Sequence, residues 1–218
     1  MPWLELCRGL VRDIRDELER MPTREEREEV LGQGEGGDET TRIDAAAEQA
    51  ALRRLEALDV PGFKLVSEEL GERVFGAGGP LRVVLDPIDG SINAKRGIPF
   101  FSVSLAVAAG DRMRDVFFGY VYDFGSGEEW TARRGEGAWL NGEPLGAEKP
   151  KNEIEILAFE ATETAKIAEL APSVVGLAVE CVDGGSFLDS ELDLESRSRL
   201  AAAGTEELCR ALSDRLKG

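Results

Sequence analysis

The chain has 218 residues, with 43 acidic and 26 basic side chains and a formal net charge of −17. This length allows one substantial core or two tightly joined halves. The negative charge excludes nucleic acid and anionic membranes as expected partners, because both require positive charge on the protein. The chain contains no histidine, which excludes Ser-His-Asp and Cys-His catalysis and leaves carboxylates, hydroxyls and metal-activated water.

Targeting and cysteine patterns add further exclusions. No apolar run approaches the roughly 20 residues of a membrane span. Charged side chains among the first 13 residues argue against a signal peptide. We therefore expect a soluble, cytoplasmic protein. The three cysteines are few, unevenly spaced and odd in number, so neither a disulfide framework nor a zinc site is predicted.

Two helices are predicted at the start of the chain. Apolar residues recur at steps of three and four between Trp3 and Leu18, which predicts an amphipathic helix whose role is packing. Thr23, followed three residues later by Glu26, forms a capping-box pattern and predicts a second, short helix.

A glycine-rich stretch at 32–37 predicts a flexible segment that leads into Asp38 and Glu39. A third helix is predicted over 43–58 from its apolar spacing, with Asp44 in the first turn. An Asp in that position is commonly only a favourable partner for the helix dipole.

The first predicted strand, 63–66, runs directly into two adjacent acids, Glu68 and Glu69. Adjacent carboxylates repel each other and are best tolerated where cations lie between them. The segment therefore indicates a candidate cation site at a strand end.

The next predicted strand, 81–85, is short, apolar and β-branched, as expected of a buried strand. Pro87 cannot continue its hydrogen-bond ladder, so we predict that the chain turns at Asp86 and Asp89. These carboxylates are hard ligands of the kind that suits Mg²⁺. Taken alone, a D-x-x-D pattern is more simply a turn with local hydrogen bonds.

Gly90 and Ser91 then open a segment whose free backbone N–H groups can face an anion. A half-buried strand is predicted over 101–107, followed by antiparallel strands joined by glycine-containing turns. These strands span 116–124, 128–134 and 138–145. Further along, strands are predicted at 154–160 and 199–203, and helices at 163–171 and 205–216.

The segment Asp-Pro-Ile-Asp-Gly-Ser-Ile-Asn at 86–93 resembles the signature D-P-[IL]-D-G-[ST]-x-N of the inositol monophosphatase and fructose-1,6-bisphosphatase superfamily, whose members are Mg²⁺-dependent, lithium-sensitive phosphatases. Four other segments resemble family motifs, and the last two are similar to archaeal members with dual activity. They lie at 38–44, 67–69, 96–105 and 135–142. The resemblance covers about residues 1–160.

The resemblance implies an α/β (α+β) fold, a layered α-β-α-β-α sandwich in which part of the C-terminal layer is missing. It divides the chain into a metal- and phosphate-binding α+β half, 1–150, and a shortened C-terminal α/β half, 151–218. It also implies a homodimer that acts on a small phosphorylated sugar or polyol. The glycine-rich stretch is then either a plain linker or a mobile loop that closes over the site when metal binds.

Carried over residue by residue, the resemblance implies two Mg²⁺ ions with Asp86 bridging. The implied metal ligands are Glu68, Asp86, Asp89 and the carbonyl of Ile88. In the implied catalytic set, Asp44 and Ser91 orient the attacking water and Glu69 assists. The amides of Gly90 and Ser91 are implied to hold the substrate phosphate.

One family feature is missing from the sequence. The W-D motif whose Asp completes the second metal site is absent, because Trp3, Trp130 and Trp139 lie elsewhere. Asp183 could replace that acid, although a turn Asp is the simpler interpretation. We therefore predict a Mg²⁺-dependent phosphomonoester hydrolase for inositol-1-phosphate, fructose-1,6-bisphosphate or both. The alternative is a catalytically impaired relative that binds metal and sugar phosphate.

Overall fold

The computed structural model describes residues 2–33, 39–67 and 70–145. These residues all fall within one compact unit, Met1–Leu145. The elements predicted beyond residue 145, together with Asp38, Glu68, Glu69 and Asp183, lie outside the described residues. The predicted division at residue 150 therefore stays a prediction.

The three helices predicted near the N-terminus are confirmed. They are α1 (Pro2–Arg20), α2 (Arg24–Glu28) and α3 (Arg42–Glu56). The capping box before α2 is present, since the amide of Glu26 donates to Thr23 Oγ1 and the amide of Thr23 donates to the Glu26 carboxylate. No helix in the described ranges is both long enough and apolar enough to cross a membrane.

The segment between α2 and α3 differs from the prediction. Strand β1 (Val30–Gln33) pairs antiparallel with β2 (Glu39–Thr41), so Gly32 and Gln33 belong to a strand and not to a flexible stretch. The pairing of Gly32 with Thr40 and of Gln33 with Glu39 satisfies backbone groups that the glycine content alone would leave free. This hairpin leads directly into α3.

The remaining described strands form one eight-stranded sheet in the order β10-β9-β8-β7-β6-β5-β3-β4. Their bounds are β3 (Gly62–Ser67), β4 (Gly71–Gly76), β5 (Arg82–Asp89), β6 (Ser102–Ala108), β7 (Val116–Asp123), β8 (Glu129–Arg133), β9 (Gly137–Leu140) and β10 (Glu143–Pro144). A short helix, α4 (Ser91–Arg96), lies between β5 and β6. Strands β3 and β5 are parallel, and the other neighbours are antiparallel.

The core lies between one face of the sheet and the helices α1 and α3. Alternate residues of the four central strands are buried there, as the period-2 pattern predicts. They are Phe63, Leu65, Val83, Leu85, Val103, Leu105, Val107, Phe118, Tyr120 and Tyr122. Trp3 of α1 packs edge-on against Phe63, with ring centroids 5.9 Å apart. Burial of each such large side chain stabilises the fold by roughly 1.5–3 kcal/mol. The core therefore holds the sheet in place, and with it the strand ends at which the candidate site residues lie.

The predicted turn at Asp86 is wrong, because β5 continues through Pro87 to Asp89. Asp86 pairs with Ser104 and Asp89 with Ser102, so β5 advances three residues while β6 advances two. This extra residue is a β-bulge, a position that tolerates a proline without an N–H. The chain turns only at Gly90.

The predicted α/β class is confirmed by this mixed sheet and its helices. The described residues account for one helical layer and one sheet of the five-layer sandwich. The five-layer arrangement, with part of the C-terminal layer missing, stays a prediction.

Candidate active site

The two signature carboxylates follow one another along the bulged end of β5. Asp86 is half-buried, and its Oδ1 accepts the backbone N–H of Ile88 at 3.1 Å. Asp89 is exposed at the last position of the strand, whereas Ile88 between them is buried. The local hydrogen bond expected of a turn Asp is therefore present at Asp86. This hydrogen bond involves Oδ1 of Asp86 and not Oδ2.

Gly90 makes the sharp change of direction after the strand. Its φ of 90° lies in the left-handed region, and a Cβ there would stand 3.1 Å from the carbonyl oxygen of Phe100. Only glycine meets both conditions without strain. The carbonyl of Gly90 accepts the amides of Asn93 and Ala94. Because the first amides of a helix have no acceptor within it, those of Ser91 and Ile92 are the ones directed out of the first turn of α4.

Helix α4 has six residues, too few to be stable alone. Side chains and backbone groups from two other segments hold it. Asn93 Nδ2 donates to the carbonyl of Phe100 at 2.8 Å, and Arg27 Nη1 of α2 donates to the carbonyl of Ala94 at 3.2 Å. The signature Asn93 thus has a structural task, fixing the loop that returns to β6.

Asp44 is buried in the first turn of α3. Its Oδ2 accepts the backbone N–H of Thr41 at 3.1 Å and the Thr41 hydroxyl at 2.6 Å. Lys95 Nζ from α4 lies 3.0 Å from the same oxygen. The helix-start role considered for Asp44 is therefore present, and a buried ion pair to the signature helix is added to it.

Sequence reasoning gave no role to two members of this group, although Thr41 lies in the family-like segment 38–44. Thr41 could have been found, since a Thr three residues before an acid at a helix start resembles a capping box. Lys95 carries no such signal, because its partner is distant in the chain and a lysine on a short helix is ordinarily solvated.

Ser67 ends β3, the strand parallel to β5. Its Oγ is buried and has no hydrogen-bond partner among the described residues. A buried hydroxyl left without any partner would cost about 1–3 kcal/mol, so this oxygen is a candidate contact for a ligand at the strand end. Ser67 directly precedes Glu68 and Glu69, for which the structure gives no placement.

The donor set fits a hydrated hard cation. Asp86 and Asp89 with the carbonyl of Ile88 supply oxygen ligands, and Mg²⁺ commonly keeps several waters beside one or two carboxylates. Within 2–33, 39–67 and 70–145, no group of three or more His, Cys, Asp or Glu side chains forms a metal cluster. The described ligands are therefore too few for an all-protein site.

A cleft of about 310 Å³ lies beside the Asp44–Lys95 pair, and both Thr41 and Lys95 reach its wall. The rest of its described lining comes from α2, the β1–β2 hairpin and α4. These residues are Glu28, Val30, Glu39, Ile92 and Arg96.

Curated relatives match about two thirds of the chain or more. A fructose-1,6-bisphosphatase/inositol-1-monophosphatase of Archaeoglobus fulgidus is 42% identical over 142 residues, covering 65% of this chain and 53% of the relative. One of the same name from Methanocaldococcus jannaschii is 35% identical, covering 66% and 54%. A bifunctional NADP phosphatase/NAD kinase from M. jannaschii is 28% identical, covering 99% of this chain and 39% of the relative. The chain thus spans about half the length of the first two relatives and less of the third.

Solved structures share the fold. A crystal structure of a gene product described as an inositol monophosphatase–fructose 1,6-bisphosphatase superposes with a TM-score of 0.73 at 25% identity, covering 99% of this chain and 100% of that one. A Pyrococcus horikoshii protein gives 0.69 at 22% identity over 98% and 97% of the two chains. The model of the inositol monophosphatase family matches residues 4–212, so the chain belongs to that family.

Proposed function

We propose that the protein is a Mg²⁺-dependent phosphomonoester hydrolase that acts on a small sugar or polyol phosphate. The observation that carries the proposal is the continuous segment in which two carboxylates on a bulged strand end lead, through Gly90, into the first turn of a helix. Cation ligands and phosphate-binding amides are thereby joined within six residues, Asp86 to Ser91.

The metal site is proposed to use Asp86 as the bridging ligand, with Glu68, Asp89 and the carbonyl of Ile88 beside it. When bound, Mg²⁺ would neutralise charge on the phosphate oxygens and lower the pKa of the attacking water. The buried Ser67 Oγ on the neighbouring strand, which has no hydrogen-bond partner within the described ranges, supports a polar ligand at this edge. We expect one tighter Mg²⁺ site and a second that fills mainly with a phosphorylated ligand.

The chain's own groups are proposed to bind the phosphate and orient the water. The amides of Gly90 and Ser91 would hold phosphate oxygens, Asp44 and Ser91 would direct the water, and Glu69 would assist. Phosphoryl transfer depends mainly on positioning and electrostatic stabilisation. A site without a covalent nucleophile is therefore sufficient.

Inositol-1-phosphate and fructose-1,6-bisphosphate are the proposed substrates, because the names of the curated relatives include both activities. NADP is a third test substrate, because one relative is named a bifunctional NADP phosphatase/NAD kinase. A homodimer in the cytoplasm, implied by the resemblance, completes the proposal and is tested separately by light scattering and by localisation of the tagged protein.

A second candidate is a relative that binds metal and sugar phosphate with little turnover. The absence of the W-D motif from the sequence favours it. Both candidates bind metal and sugar phosphate, but only the hydrolase releases phosphate efficiently.

The test measures phosphate release from the three substrates with and without Mg²⁺, together with calorimetric binding of inositol-1-phosphate. Mg²⁺-dependent release from at least one substrate is expected. Binding without release would select the impaired relative, and neither binding nor release would contradict both candidates.

A further inference from the structure

Lys95 joins the signature helix to the first turn of α3. It lies four positions after Ser91, so the two side chains project from the same face of α4. Its Nζ is 3.0 Å from Asp44 Oδ2, and the two side chains are only 15% and 5% exposed. Solvent therefore screens this pair much less than a surface salt bridge.

The contacts of Asp44 are distributed unequally between its two oxygens. Oδ2 accepts the backbone N–H of Thr41, the Thr41 hydroxyl and the ammonium of Lys95. A carboxylate offers about four acceptor positions over both oxygens, so three donors saturate Oδ2. Any water that Asp44 orients is consequently received by Oδ1.

We propose that Lys95 is a positioning residue that fixes the Asp44 carboxylate against α4, so that Oδ1 of Asp44 and the hydroxyl of Ser91 address the same attacking water. The inference rests on the proposed function and deepens it. Lys95 acts through Asp44, because its ammonium contacts the oxygen of Asp44 that the water does not use.

The adjacent Arg96 provides a matched control. It belongs to the same helix, carries the same charge and reaches the same cleft, but it is exposed and makes no described ion pair with Asp44. Helix α4 is also held by the contacts of Asn93 with Phe100 and of Arg27 with Ala94. The side chains of Lys95 and Arg96 take no part in these contacts. Helix α4 should therefore persist in both variants.

The experiment compares Lys95→Ala with Arg96→Ala in phosphate release at saturating Mg²⁺. A misplaced catalytic group costs roughly 100-fold in rate, so kcat of K95A should fall by that order with KM nearly unchanged. The kcat of R96A should stay close to that of the wild type. Lys95→Met, which retains most of the apolar stem, replaces K95A if thermal melting shows that K95A is unfolded.

Amine rescue separates positioning from general packing. The cleft lined by Lys95 has room for a small amine, so propylammonium should restore part of the kcat of K95A. Tetramethylammonium, which has the charge without an N–H donor, should not. Rescue by both ions, or by neither, would overturn the proposal.

Crystal structures of the two variants without metal give a readout independent of activity. Asp44 should adopt one rotamer in R96A and more than one in K95A. An equal loss of kcat in both variants, a change in KM alone in K95A, or one shared Asp44 rotamer would overturn the assignment of Lys95. If the wild type releases no phosphate, the proposed function fails and the Asp44 rotamers alone decide the role of Lys95.

Discussion

The ion pair at the strand-end site is much less exposed to solvent than the ion pairs that attach helix α1. At the site, Lys95 and Asp44 are 15% and 5% exposed. Two pairs tie α1 to the rest of the unit, and we call them the α1 clamp: Arg8–Glu129, with exposures of 43% and 14%, and Arg54–Asp13, with 37% and 24%. Pairs open to solvent contribute little stability, whereas loss of one partner from a buried pair leaves an uncompensated charge. Salt bridges thus attach helix α1 to the rest of the unit, whereas the Lys95–Asp44 salt bridge positions a carboxylate at the strand-end site.

The α1 clamp is well formed geometrically. Arg8 donates through Nε and Nη2 to both oxygens of Glu129, at 2.9 and 2.6 Å. The Tyr120 hydroxyl donates to the same carboxylate at 3.2 Å. Burial, followed by the charge of Glu129, raises the pKa of Tyr120 far above its usual value, so the phenol remains a donor. None of these groups reaches the strand-end site in the described contacts.

The largest expected effect is that of Asp86→Asn at the strand end. A neutral amide cannot hold two dications together, so calorimetry should show loss of Mg²⁺ at the bridging position. Phosphate release should fall by roughly 1,000-fold, the upper range for loss of one electrostatic group. Asp111→Asn is the control, because Asp111 is 65% exposed and pairs with Arg82. Unchanged Mg²⁺ stoichiometry and affinity in D86N would contradict the bridging assignment.

The next effect is that of Asp44→Asn. Loss of the water-orienting carboxylate should lower kcat by about 10²-fold, the lower end of the range for a general acid or base, with near-normal KM. It should also cost up to about 3 kcal/mol of unfolding free energy, because the half-buried ammonium of Lys95 loses its partner. Asp13→Asn removes a paired carboxylate from the α1 clamp and should leave kcat unchanged. A change confined to KM in D44N would reject the catalytic assignment.

Acid should weaken the α1 clamp. The hydrogen bond from Arg8 is the main cause that lowers the pKa of Glu129, and the hydrogen bond from Arg54 lowers that of Asp13. A carboxyl group with a lowered folded-state pKa contributes stability above its unfolded pKa and loses it as pH falls through the folded value. Their usual values are 4.5 and 3.8, so the unfolding free energy should decline below about pH 4.5.

Denaturant titrations between pH 3 and 7 check this expectation. The double variant Glu129→Gln/Asp13→Asn should show a shallower decline than the wild type. Equal slopes would mean that other carboxylates dominate the acid response.

The smallest effect is that of Glu129→Gln at neutral pH. One partner of this pair is 43% exposed, so the loss of stability should be about 1 kcal/mol or less, with unchanged kcat. Glu136→Gln, which breaks a pair with Arg133 in which Glu136 is 53% exposed, should cost about 0.3 kcal/mol. A kcat of E129Q well below that of the wild type would contradict the conclusion that the α1 clamp does not affect the strand-end site.

Local patterns predicted much of the described fold. The apolar stripe between Trp3 and Leu18 predicted α1, the capping box predicted α2, and period-2 alternation predicted β6. The glycine-containing turn that follows it helped to predict β7. Strand β4 was missed, because it is a largely exposed edge strand with glycine at both ends and little apolar alternation. Pairing with β3 supplies its stability.

The candidate site divides in the same way. The sequence alone determined the signature at 86–93 and the family, because the residues of a motif lie together in the chain. The oxygen ligands that it assigns to a hard cation stay a prediction. The tertiary structure alone decided that β5 bulges through Pro87 instead of turning, and that Lys95 meets Asp44. Both depend on neighbours distant in the chain: β6 sets the register that requires an extra residue, and the approach of α3 to α4 creates the buried ion pair. No local pattern encodes such contacts, because their free energy arises only when the elements pack.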